Sequence, residues 1–304
     1  MKYIIRFSAV IILTALFCVP AHAHQFWINL DESKAHQPGH VMISLGYGHK
    51  LPMDDFLGST KGVVELVSYS LYDPEHKPCN IPFKNPTIDD AKHVNSLSGA
   101  FIRTGDSFNR KIDFSADMKP GTWQIAAGQQ WEFVTAYKNK KGRLFIKRKP
   151  LNEIEGAKTV LFSMAARMWA KAFFTVGKSW TKPKPVGHLI EIVPTVDMSN
   201  VKAGDVVSFQ VLYNGKPLKR FYRGDVPHWP YFCAFGTNFG GGDEGYQISG
   251  SLNNGRGKFR IPSSGQWIVY SYLYLPINKK QMPELIGKAK YQYISGSICF
   301  NVSP

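Results

Sequence analysis

Lys119-Pro120-Gly121-Thr122-Trp123-Gln124-Ile125-Ala126 reads as a turn feeding a core strand. Proline and glycine set the turn, and Trp123 and Ile125, two residues apart, fall on one face of an extended chain. The pattern returns as Ser264-Gly265-Gln266-Trp267-Ile268-Val269, with Gly265 in the place of Gly121. A second echo links His36-Gln37-Pro38-Gly39-His40-Val41, running on to Leu45, with Val201-Lys202-Ala203-Gly204-Asp205-Val206, running on to Val211. Two recurring units in the same order predict an all-β chain of two tandem β-sandwich domains.

Working outward, short strands separated by turn residues are expected at His24–Leu30, His40–Leu45, Val63–Leu71, Ala100–Arg103 and Lys111–Phe114. Gly46-Tyr47-Gly48-His49-Lys50-Leu51-Pro52 reads as a loop whose glycines allow close backbone approach. One helix competes with this pattern. Between Phe145 and Val176, the residues Val160, Leu161, Met164, Ala165, Met168 and Trp169 recur at three- and four-residue spacing, which predicts one short amphipathic helix before extended structure resumes at Ala172–Val176. Its Met and Trp stripe reads as packing. Trp180–Pro185, with Pro183 and Pro185 among lysines, reads as an extended linker. The expected organisation is a signal peptide over 1–23, an N-terminal domain over 24–179, a linker over 180–187 and a C-terminal domain over 188–304.

The signal peptide reading rests on Lys2 and Arg6, an apolar run from Ile11 to Val19, Pro20, and Ala21-His22-Ala23 as a cleavage site. The run is too short to span a bilayer, so a periplasmic protein that is not membrane-embedded after cleavage is expected. Cleavage between Ala23 and His24 would make His24 the first residue. A terminal histidine offers an α-amine and an imidazole nitrogen together, a bidentate clamp for a transition metal.

The chain carries a formal charge of +15. Its basic residues are densest at Lys138–Lys149 and Lys178–Lys184, without regularly interleaved stacking aromatics, so no nucleic-acid partner is expected. Cys79, Cys233 and Cys299 match no zinc or CxxC spacing; in an oxidising compartment Cys233 with Cys299 is the candidate disulfide, leaving Cys79 odd, and two buried free thiols are the alternative. Phe239-Gly240-Gly241-Gly242-Asp243-Glu244 lacks the helix a phosphate loop needs and the alternating oxygen ligands of a calcium loop. Neither a Gly-x-Ser-x-Gly elbow nor a His-Glu-x-x-His helix occurs, so no hydrolase is expected.

His24-Gln25-Phe26-Trp27, Gly48-His49 with Pro52, Pro120-Gly121-Thr122-Trp123, Ala170-Lys171-Ala172, Leu189-Ile190-Glu191-Ile192-Val193-Pro194, Gly204-Asp205 and Asn214-Gly215-Lys216-Pro217-Leu218 occur in an order that resembles a known family. It is the periplasmic family of unknown-function domains described as the soluble component of nickel and cobalt uptake transporters, related to NikM. The resemblance implies an Ig-like or prealbumin-like β architecture, a membrane metal-uptake transporter as partner, and a metal held by the mature N-terminus with an internal histidine. By position those histidines are His24 and His49. On chemistry, His24 would give its amine and ring, Gln25 a peptide nitrogen that Ni(II) or Cu(II) can deprotonate, and His49 another imidazole. Four nitrogens in a plane suit copper or nickel, and copper binds tighter in the divalent series.

The expected function is therefore binding of a divalent transition metal, nickel or cobalt with copper also accommodated, for uptake or handling and without catalysis. Two alternatives stand beside it: a copper enzyme that uses the same histidine clamp to oxidise a polysaccharide, and an adhesive or structural sandwich with no metal. His36, His40, His76, His93, His188 and His228 are scattered, and Asp54 and Asp55 follow His49 closely enough to attract a cation.

Overall fold

Ala157–Val176 is one strand of 20 residues. Its first part pairs antiparallel with Glu132–Asn139 and its last part with Gly121–Gln129, two consecutive strands laid end to end along one edge. The other edge pairs in parallel with Tyr291–Val302. The chain is described, in a computed structural model, over residues 24–33, 38–59, 62–103, 105, 107–178, 180–223, 226–240 and 247–304. The expected signal peptide and its cleavage site, His36, and Gly241 to Glu244 lie outside these residues.

The helix expected between Val160 and Trp169 is thus corrected to strand, and the described residues contain no α-helix, only 3-10 turns. The reason is burial on both faces. Ala166, Met168, Ala170, Ala172 and Phe174 enter one core, while Trp169 and Phe173 enter another on the opposite face. A strand with two buried faces loses its polar alternation, and the apolar residues that remain then imitate a helical period. The all-β reading stands.

One ten-stranded sheet holds this strand near its middle. Ile248–Ser251, Tyr231–Gly236, Gly265–Pro276 and Tyr291–Val302 lie to one side, with Gly121–Gln129, Leu66–Tyr72 and Pro78–Asn80 to the other. A three-stranded sheet of Gln25–Ser33, His40–Gly48 and Arg110–Asp113 packs on one face around Phe26, Ile28, Val41, Ile43, Ile125 and Phe174. A sheet containing Ile190–Pro194, Val206–Tyr213 and Arg256–Arg260 packs on the other around Ile192, Phe209, Trp267 and Ile298. The result is β-sandwich packing on both faces of a shared sheet. The segment expected to link two domains is pinned. Thr122 and Thr181 exchange N–H to Oγ1 hydrogen bonds of 2.8 and 2.9 Å, and the Val186 and Gly187 amides donate to Glu191.

Of the two cysteine alternatives the structure has the buried free thiols: Cys233 and Cys299 are both free and buried, with no disulfide between them. Cys233 sits opposite Tyr270, while Cys299 sits opposite Ile268 on the far edge of that same intervening strand. Two strand spacings amount to about 9–10 Å, beyond the reach of a disulfide.

Candidate metal centre

The first strand turns its alternate residues to two different places. Phe26, Ile28 and Leu30 enter the core beneath the three-stranded sheet, and Trp27 enters a separate cluster with Cys233, Phe235, Ile268 and Cys299. Both faces are buried, so the chain just after His24 is firmly held. Ser297 Oγ donates to the Phe26 carbonyl at 2.6 Å, and Asn301 Nδ2 donates to the Leu30 carbonyl at 2.7 Å. Gln25 is buried, and its Nε2 donates to the Tyr293 hydroxyl at 3.2 Å.

Register then decides what His24 meets. Gln25 lies opposite Gly48, Phe26 opposite Tyr47 and Trp27 opposite Gly46. One step further along the same ladder sets His24 beside His49, and their rings stack with centroids 4.5 Å apart and planes at 29°. Tyr47, two residues before His49 and so on the same face, stacks on His24 at 4.8 Å.

Two glycines make room for this. A Cβ on Gly46 would lie 2.1 Å from the Trp27 indole, and one on Gly48, whose φ is +127°, would lie 2.3 Å from Asp54 Oδ2. Asp54 therefore folds back under the strand end. It accepts a hydrogen bond from the His49 amide at 2.8 Å, and its Oδ2 lies 3.5 Å from His49 Nδ1. Asp55 is anchored through its amide, which donates to the Tyr47 carbonyl at 3.0 Å.

Partial burial of its ring pushes the His24 imidazole below its usual pKa, and the neighbouring His49 adds to this against the opposing pull of Asp55 and Asp54. Arg148, which pairs with Glu132, pushes in the same direction as His49. Neutral imidazole is the form that ligates a metal. Two imidazolium rings stacked this closely would repel one another. A carboxylate beside the Nδ1 of a histidine is also the usual means of fixing its orientation. The donor chemistry fits a divalent transition metal.

Among the described residues, no three or more His, Cys, Asp and Glu side chains are grouped to hold a metal ion. A donor set built on His24 and His49 would have to be completed, among the described residues, by backbone nitrogen, which under the expected cleavage would include the α-amine of His24. The other described histidines are placed in other elements. His76 stacks on Tyr72 and His228 on Phe221, and His188 lies tilted against Trp169. His40 opens the second strand, at the end opposite Gly48. A cavity of about 530 Å³ lined by Tyr213, Leu218, Phe221 and Leu273 contains none of the candidate ligands.

Tyr47, Arg148 and Glu132 escaped the sequence reading. Tyr47 was within reach of it, because a two-residue step on a strand keeps the same face. Arg148 and Glu132 were not, because they arrive from strands paired elsewhere in the sheet.

The chain is thus an all-β protein whose sandwich packing fixes a histidine pair at the start of its first described strand. Residues 21–272 match the family described as domain of unknown function DUF4198, and the chain belongs to that family. No curated protein matches it.

Proposed function

We propose that this is an exported protein that binds a divalent transition metal, nickel or cobalt in the first place, for uptake or handling, and passes it to a membrane metal-uptake transporter. His24 supplies its α-amine and ring after cleavage at Ala23, Gln25 a peptide nitrogen, and His49 a second imidazole. The observation that carries the reading is the 4.5 Å stacking of His24 on His49 at the end of a strand pinned on both faces. A second ligand already held by the fold adds affinity at little further entropic cost.

Titration of the chain beginning at His24 with Ni(II), Co(II) and Cu(II) tests this. His49→Ala should weaken binding at least about tenfold, roughly 1.4 kcal/mol, and a methionine left ahead of His24 should do comparable damage. His76→Ala should change nothing. Parental affinity in the His49 variant would remove the proposal at its central residue.

Tyr47, stacked on His24, favours a second reading, a copper enzyme oxidising a polysaccharide, because such a site needs an aromatic residue close to the metal. Peroxide formation by the copper-loaded protein in ascorbate would support that reading, and tight metal binding without it would support the carrier.

A further inference from the structure

Lys138-Asn139-Lys140-Lys141-Gly142-Arg143-Leu144-Phe145-Ile146-Lys147-Arg148-Lys149 holds seven basic residues and no acidic one. The segment is a β-hairpin. Tyr137 and Lys138 lie opposite Phe145 and Leu144, and the turn is closed by the Gly142 amide on the Asn139 carbonyl and by the Lys141 and Arg143 amides on Asn139 Oδ1. Among the described residues its second strand, Leu144–Lys147, pairs with Glu132–Asn139 alone and forms an edge of the large sheet.

That edge is apolar where proteins ordinarily protect an edge with charge. Leu144 is 58% exposed, Phe145 36% and Ile146 65%. Leu161 adds a further 53% exposed apolar side chain at the register shift where the central strand passes Ala136 and Tyr137. Of the seven cations, Arg148 is engaged by Glu132 at the base of the hairpin. Lys138, Lys140, Lys141, Arg143, Lys147 and Lys149 are exposed and flank the apolar triplet on both sides in the chain.

We propose that this hairpin is a docking surface for an anionic lipid bilayer. Leu144, Phe145 and Ile146 would enter the boundary between headgroups and acyl chains, and the surrounding lysines and Arg143 would meet lipid phosphates. Three features favour a bilayer over an acidic protein. Leu144 and Ile146 share one face of the strand, while Phe145 on the other face stacks on Tyr137 with centroids 5.6 Å apart and keeps part of its ring exposed, so the triplet is not a single flat patch. Cations lie on either side of it in the chain, and long basic side chains can reach headgroups while their stems cover apolar surface. The strand's unpaired edge stays in the hydrated headgroup layer, where its backbone groups keep hydrogen-bond partners. Arg148 pairs with Glu132 across the base of the hairpin, so the two strands are held together below the exposed residues.

Co-sedimentation of the chain from His24 onward with vesicles of phosphatidylglycerol and phosphatidylethanolamine, against vesicles of phosphatidylcholine alone, tests it. Binding is expected to the anionic vesicles only and to fall steeply with salt. Each basic group near an anionic surface is worth roughly fivefold in partitioning, so Lys140→Glu with Lys141→Glu should lower binding at least about twentyfold. Leu144→Ser with Ile146→Ser should lower it about tenfold. Both pairs replace exposed side chains, so an unchanged circular dichroism spectrum and melting temperature confirm that folding is intact. Failure of the parent to bind, equal binding to both vesicle types, or parental binding by both variants would each overturn the proposal. Capture of an acidic polypeptide by a chain that ignores anionic vesicles would overturn it in favour of a protein partner.

Discussion

Gly46 and Trp27 face one another across the first two strands, and the indole occupies the space where any other residue would carry its Cβ. Trp27 Nε1 also donates to Asn29 Oδ1 at 2.8 Å and to the Pro52 carbonyl at 3.1 Å, so the same ring holds the loop that follows His49. Gly46→Ala should therefore lower the free energy of unfolding in urea by roughly 1–3 kcal/mol, the usual cost of overpacking a filled core. Trp27→Phe in the same chain should return part of that loss by vacating the contact. An unchanged denaturation midpoint for Gly46→Ala would show that the indole does not lie where this packing requires. The sequence marks Gly46 and Gly48 as positions of close backbone approach, but it assigns both to a loop, whereas they continue the strand. What each glycine accommodates is a side chain from another part of the chain, Trp27 for one and Asp54 for the other, and no local pattern carries that information.

At the scale of elements, the central strand is joined to the strand after the 180–187 segment by a buried ion pair. Lys171 Nζ lies 2.6 Å from Glu191 Oε1, with the two side chains 1% and 2% exposed. Burial alone would raise the Glu191 pKa, but Lys171 and the Val186 amide hold the carboxyl below its ordinary range, so it remains ionised. Lys171→Met should cost about 3–5 kcal/mol by leaving that carboxylate buried without its partner. Replacing both residues with apolar ones should cost clearly less, and equal losses in chemical denaturation would sink the account. His188 stands beside this pair, and burial, foremost, pushes its imidazole down to about 3, with Lys171 and Arg167 pushing the same way against Glu191. The unfolded chain takes up a proton there as pH falls below about 6.5, while the folded chain does not until about pH 3. Stability is thus fully present above that upper value and declines between the two, by at most about 1.4 kcal/mol per pH unit for this group. Urea titrations across that range should give a shallower decline for His188→Phe than for the parent. An identical slope would place the acid sensitivity elsewhere. Neither the ion pair nor the double-sided burial of Ala157–Val176 was legible beforehand, because a lysine within an apolar run looks the same whether its neighbours carry a carboxylate or water.

At the scale of the whole molecule, the sequence echoes land on comparable places. Gly39 and Gly204 both have positive φ at the start of strands in the two covering sheets, and Gly121 and Gly265 do the same at the start of strands in the shared sheet. The β-sandwich packing was therefore readable from turn chemistry. The parallel pairing of Ala157–Val176 with Tyr291–Val302 was not, since a crossover partner leaves no local mark. That pairing governs how the molecule should unfold. Removing the C-terminal strands would leave one edge of the central strand unpaired, and it would strip Trp169 and Phe173 of their core. The N-terminal half would then carry an apolar face and an open strand edge, a combination that favours aggregation. Calorimetry of the chain from His24 onward should therefore record one transition, with van't Hoff and calorimetric enthalpies in agreement. A fragment of residues 24–179 should lack a cooperative melt and should associate. Two resolved transitions, or a monomeric fragment melting cooperatively near the parent temperature, would mean that the shared sheet is a seam between independent units rather than the element that makes the two sandwiches one.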